Sequence, residues 1–268
     1  MRYLLILAFL SLGLPAFGDK IPPEILDRPI PADVIILGEV HDNPVHHQNQ
    51  ARAVAAIKPA AIVLEMLTAE QAARITAENR RDAAALAKVL DWQSGGWPDF
   101  AMYHPILLAA PEAVIFGGGL PRDQVHRAVR EGALAVFGAA QDFGLDQPLA
   151  ADELRLRKDL QMQAHCNALP QNLLSGMVEA QRLRDAALAA AVLAARAETG
   201  GPVVLITGNG HARRDWGVPR ALAQAAPDLS VQTIAQFEEI AWPDPPFDAY
   251  LITPAALRDD PCAAFSAD

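Results

Sequence analysis

Apolar residues along the chain gather into short continuous runs, each closed by a glycine, a proline or a charged residue. Six runs predict buried strands: Val34–Leu37, Ala61–Leu64, Ala113–Phe116, Val203–Thr207, Val231–Ile234 and Ala249–Ile252. Most are separated by stretches with helical spacing. Pro44–Ile57 opens with Asn43 as a candidate N-cap and Pro44 at the first helical position. Ala69–Glu78, Asp99–Ala110, Pro121–Arg130 and Trp216–Ala225 also predict helices. Strands without polar alternation, interleaved with helices, imply an α/β fold: a mainly parallel sheet with helices on both faces.

The block Ala151–Thr199 breaks this rhythm. It is rich in Ala, Leu, Arg, Glu and Gln, has no strand signal, and predicts two helices, Ala151–His165 and Gln171–Ala197, hinged at Leu169-Pro170. With Ala69–Ala110 it is expected to form one helical layer inserted into the α/β core. No repeat, low-complexity segment or Gly/Ser linker divides the chain. The expected organisation is one domain over 19–268, with helical insertions at about 69–110 and 151–199.

Composition narrows the function classes. A chain of 268 residues with 51% hydrophobic content can bury a sizeable core, and a net charge of −10 argues against nucleic acid or an anionic membrane surface as partner. Residues 1–18, MRYLLILAFLSLGLPAFG, have the pattern of a secretory signal peptide cleaved near Gly18. Their apolar stretch is shorter than the roughly 20 residues that span a bilayer, so no transmembrane segment is expected after signal removal. No cysteine near the cleavage point offers a lipid-attachment site. Cys166 and Cys262 are the two cysteines, and their spacing leaves a disulfide and two buried thiols equally open.

Candidate chemistry lies at strand ends. The first run ends in Gly38-Glu39-Val40-His41 and the fourth in Gly208-Asn209-Gly210-His211, the same Gly-x-x-His pattern after a buried strand. In an open parallel sheet the carboxyl ends of the strands share the ligand-binding edge. Two imidazoles delivered there, with Glu39 and with Glu65 at the end of the second run, suit a divalent metal such as zinc or manganese, or a general base beside a polarised substrate. His46 and His47 occupy the first turn of the next helix; either both simply sit at the polar surface, or one ring faces the site and the other solvent. Three glycines and Arg122 in FGGGLPRDQVHR either form an ordinary tight turn or would suit an anion such as a carboxylate through exposed backbone N–H groups, and Arg213 and Arg214 add cations beside His211. Trp92, Trp97, Phe100 and Tyr103 cluster with His104; they pack a core or line a flat apolar ligand, with Tyr103 or His104 as axial ligand to iron.

Taken together, ILGEVHDNPVHHQNQ, VLEM, DW with a following W and YHP, AHCNALP, AQRLRDAALA and TGNGHARRDWGVP resemble the ChaN-like haem-binding uptake proteins of the Tiki superfamily, in order from about Asp33 to Pro254. The resemblance implies a ChaN/Tiki-like fold and a periplasmic role in bacterial haem or iron uptake. Haem would be held without covalent attachment, since no CxxCH occurs. His41, His211, Tyr103, His104 and His165 are the candidate iron ligands, with Arg122 and Arg213 for the propionates. Relatives elsewhere in the superfamily look like metal-dependent hydrolases or peptidases. That reading would give His41 and His211 to a metal and make Glu39 or Glu65 the catalytic base, although neither HExxH nor GxSxG is present. Binding of another small ligand without catalysis stays open, as does a homodimer. The sequence departs from the family pattern in lacking a lipidation cysteine and in placing Leu188 where a methionine often follows the RDA triplet.

Overall fold

The computed structural model describes residues 18–260 and 262–263, so the predicted signal peptide, apart from Gly18, lies outside the described residues. The strands are β1 (Asp19–Lys20), β2 (Val34–Glu39), β3 (Ala61–Thr68), β4 (Val114–Gly119), β5 (Val203–Gly208), β6 (Val231–Glu238) and β7 (Ala249–Thr253). The helices are α1 (Pro44–Ile57), α2 (Ala69–Ala72), α3 (Ala83–Val89), α4 (Phe100–Ala109), α5 (Arg122–Glu131), α6 (Ala133–Val136), α7 (Ala151–Ala164), α8 (Leu174–Thr199), α9 (Asn209–Ala212) and α10 (Val218–Ala225).

All strand pairs are parallel, in the order β1-β7-β6-β2-β5-β3-β4. The chain leaves the central β2 for β3 and β4, returns to insert β5 between β2 and β3, and then builds outward through β6 and β7. All six expected strands form, and the sheet is the α/β arrangement anticipated. β2 and β5 are buried along their whole length, as a parallel strand covered on both faces must be. The two-residue β1 escaped the pattern because it is too short to show periodicity.

Local signals set the helix ends well. Asn43 Oδ1 accepts the Val45 N–H at 2.9 Å, and Pro44 opens α1 as expected. The expected helix Ala69–Glu78 shrinks to the single turn of α2. Thr68 and Gln71 close a reciprocal cap, and the Thr76 and Asn79 side chains then bond each other's backbone N–H at 3.1 and 2.8 Å. These local bonds compete with helix continuation.

The two helical insertions do not share a layer. Trp92, Phe100, Tyr103 and Ile106 of the first pack with α1 against Ile35, Leu37 and Ile62. Leu188, Ala189 and Val192 of α8 pack with α10 against Val34, Ile36 and Val63 on the opposite face. Alternate residues of one strand point to opposite faces, so each insertion covers its own side. Cys166, in the turn between α7 and α8, is disulfide-bonded to Cys262 in the C-terminal tail, which settles the open cysteine question.

Candidate functional site

β2 and β5 are neighbours, with Glu39 paired to Gly208, so the residues just beyond them emerge side by side. β3 pairs with β5 on its other side, in register at Leu64 and Ile206, which brings Glu65 to the same edge. The expected convergence of His41, His211, Glu39 and Glu65 is therefore present. Glu39 is fully buried; its Oε1 takes the Tyr103 hydroxyl at 2.9 Å and His41 Nδ1 at 2.7 Å, and His47 Nδ1 lies 3.4 Å from Oε2. Glu65 Oε2 accepts from Thr207 Oγ1 at 2.6 Å and from the Gly208 N–H at 2.8 Å. Its Oε1 is 3.4 Å from His211 Nε2 and 4.0 Å from Arg184 Nη1, while His211 Nδ1 binds Asp185 Oδ1 at 2.6 Å.

Burial on its own would lower the His211 pKa, but the Glu65 and Asp185 carboxylates outweigh it and raise the ring to about 10. Burial would likewise raise Glu65, yet the His211 and His41 charges hold it well below the usual carboxylate range. For Asp185, burial prevails over the attraction of His211 and pushes the carboxyl up. His41 is raised, as the Glu39 hydrogen bond and the Glu65 charge overcome desolvation. Both His211 nitrogens thus lie against carboxylates, Asp185 Oδ1 at 2.6 Å and Glu65 Oε1 at 3.4 Å, surroundings that favour the protonated ring. Among the described residues no group of three or more His, Cys, Asp or Glu side chains is arranged around a common ion position. The two imidazoles meet, but through carboxylates rather than at one shared coordination point.

His41 differs from His211. Its side chain is 34% exposed, its ring packs edge-on against Trp97 at 5.0 Å, and Nδ1 is spent on Glu39. Nε2 has no hydrogen-bond partner among the described residues; it lies 3.0 Å from the place where a Cβ on Gly208 would stand, with Glu65 close by. Its neighbours Trp97 and Glu65 line a cavity of about 270 Å³, together with Trp92, Leu120, Arg122 and Arg184 among others. Arg122 and Arg184 place two cations on its wall, and Leu188 also lines it.

The remaining candidates fall elsewhere. Tyr103 is 1% exposed, and burial followed by the Glu39 charge drives its phenol pKa far up, so it is a neutral donor that holds Glu39 and not an open iron ligand. His104 Nε2 donates to the Arg80 carbonyl, because the next residue along a helix points about 100° away. His165 Nδ1 donates to the Gln161 carbonyl of its own helix, outside the histidine cluster. Arg213 is paired with Asp215 and stacked 3.6 Å from the Trp216 ring centroid, while Arg214 pairs with Asp248. Neither His46 nor His47 reaches solvent: His46 bridges the Val40 N–H and Thr253 Oγ1, and His47 Nε2 donates to the His41 carbonyl at 2.7 Å. The end of β7 and helix α4 seal the two sides of that turn. The glycines Gly117–Gly119 are not an exposed turn but the end of β4. A Cβ on Gly118 would stand 2.6 Å from Leu188, and one on Gly119 2.6 Å from the Glu65 carbonyl, so they serve close packing.

Sequence reasoning missed Gln181, Arg184 and Asp185. The signal was in place: Gln181, Arg184, Asp185 and Leu188 share one stripe of α8, and charged residues on an apolar stripe need buried partners.

A solved structure describing cofacial haem binding to ChaN of Campylobacter jejuni is 22% identical, covering 84% of this chain and 88% of that one, with a TM-score of 0.63. The type III effector HopBA1 is 13% identical over 84% of this chain and 88% of its own, with a TM-score of 0.48. No curated protein sequence matches. The model of the family described as "Haem-binding uptake, Tiki superfamily, ChaN" matches residues 25–222, and the chain belongs to that family.

Proposed function

We propose that this protein is an exported haem-binding protein of bacterial haem or iron uptake, holding the group non-covalently at the carboxyl edge of its sheet. The observation that carries the reading is His41: one ring nitrogen is anchored by Glu39, the other is unpartnered among the described residues, and the ring packs on Trp97, which lines an aromatic-walled cavity. A carboxylate on the distal nitrogen is the usual support for a metal-binding imidazole. Trp92 and Trp97 would face the macrocycle, and Arg122 and Arg184 would take its propionates. The residues fit the group on these grounds. Bound iron supplies the redox and ligand-binding chemistry, while the chain supplies orientation and charge.

Export is supported by the Cys166–Cys262 disulfide, which persists in oxidising compartments. Among the described residues no helix is long and apolar enough to cross a membrane. A second reading, hydrolysis by the Tiki route, draws on the Asp185–His211–Glu65 chain of charges as acid–base machinery.

Haemin titration tests the first reading. Purified protein is expected to give a saturable, shifted Soret band. His41→Ala should change its position, and Gly208→Ala, which crowds His41 Nε2, should weaken binding. Tyr103→Phe should preserve the spectrum. A titration indistinguishable from haemin in buffer sinks the proposal. Stoichiometric metal in tag-free protein, with ester or peptide cleavage, would favour the hydrolase instead.

A further inference from the structure

A second cavity, of about 290 Å³, lies on the other side of the histidine cluster. One stripe of α7 forms a wall, with Arg157, Leu160, Gln161 and Ala164 at helical spacing; Val178 of α8, Trp216 and Trp242 complete it. Its apolar part is largely aromatic, and its polar end is cationic. Arg157 is only 5% exposed, yet among the described residues its Nε and Nη1 have no hydrogen-bond partner. A buried guanidinium with unmet donors is costly unless something supplies the acceptor.

The local charges do not supply it. Glu153 accepts from Arg157 Nη2 at 2.5 Å, but it is shared with Arg220 at 2.9 and 3.0 Å. Asp215 is occupied by Arg213 at 2.9 and 2.7 Å. Arg157, Arg213 and Arg220 thus share Glu153 and Asp215, while Asp185, whose charge also reaches Arg157, is committed to His211. Arg157 and Arg213 both lie over the Trp216 ring, at 5.0 and 3.6 Å from its centroid. This stacking fixes the cations above a flat apolar floor.

We propose that this slot binds a small aromatic carboxylate, its rings against Trp216 and Trp242 and its carboxylate on Arg157. A carboxylate answers the unmet N–H groups, and a flat body answers the indoles and Leu160. The site is separate from the haem cavity: the Gln181 amide, 3.1 Å from His211 Nδ1, stands between the slot and the acid–histidine cluster. The proposal goes beyond the haem reading and does not depend on it.

The probe is 2-naphthoate, titrated into the mature full-length protein and followed by tryptophan fluorescence and calorimetry, with 2-naphthamide as neutral isostere. Saturable one-site binding is expected, with the amide and the Arg157→Gln variant each about tenfold weaker. Leu160→Trp, which fills the slot but keeps its charge, should abolish binding while circular dichroism and the haemin titration stay unchanged; it decides the matter if Arg157→Gln does not fold. Equal affinity for acid and amide, no saturation, or retained binding in Leu160→Trp overturns the proposal. Displacement of naphthoate by one equivalent of haemin would also overturn it, by assigning the slot to haem. A failed haemin titration with intact naphthoate binding would reject only the haem reading.

Discussion

At the scale of single residues, the neighbourhood of each histidine decides its chemistry. His46 Nδ1 accepts the Val40 N–H at 2.9 Å, which requires that nitrogen to be unprotonated, and burial lowers the ring pKa from 6.5 to about 4. The unfolded chain binds this proton first as pH falls. Its contribution is therefore present above about pH 6.5, declines from there to about pH 4, and is then fully lost. The slope should approach 1.4 kcal/mol per pH unit, roughly 3 kcal/mol over the window. Urea unfolding between pH 7 and 4 should show this decline, shallower in His46→Asn; equal slopes would contradict the account. The same residue type at 41 and 211 is pushed the other way by carboxylates. The three roles differ although all three residues are histidine.

At the scale of elements, the capped helices were legible because their signals are local. Asn43 before Pro44 and Asp99 before Phe100 each place a side-chain oxygen on the first free N–H groups. The end of α4 is different, since its support comes from another element. Arg80 donates to the carbonyls of Ala110, Pro111 and Ala113 at 3.2, 2.8 and 2.8 Å, a contact no local pattern could announce. Arg80→Met should leave these carbonyls without their charged donor and cost about 2–4 kcal/mol, measured as a lower urea midpoint at unchanged m-value. A change within about 0.5 kcal/mol would mean that water replaces the guanidinium freely.

At the scale of the whole molecule, the tail is tied back across the site edge. Arg258 bonds Asp42, next to His41, and Glu238 at the end of β6; four residues later Cys262 joins Cys166. The bond spans 96 residues of sequence, so it restricts a large loop of the unfolded chain. Reduction, or Cys166→Ser with Cys262→Ser, should lower unfolding free energy by about 2–5 kcal/mol. Unaltered thermal and urea transitions would show that Arg258 alone holds the tail.

Local pattern determined much of this protein. Six strands, the α/β class, the start of α1 and the paired Gly-x-x-His ends all follow from short-range periodicity, turn chemistry and capping, which act within a few residues. Pairing of β5 between β2 and β3 was left to tertiary structure, because strand order depends on which faces can be covered together. That order brings His41 to His211, lets Asp185 arrive from a helix, and buries both histidines of α1. It also turned a presumed glycine turn into the tightly packed end of β4. Charges that meet across such distances in the chain acquire their protonation states only after folding, when water has been excluded from between them.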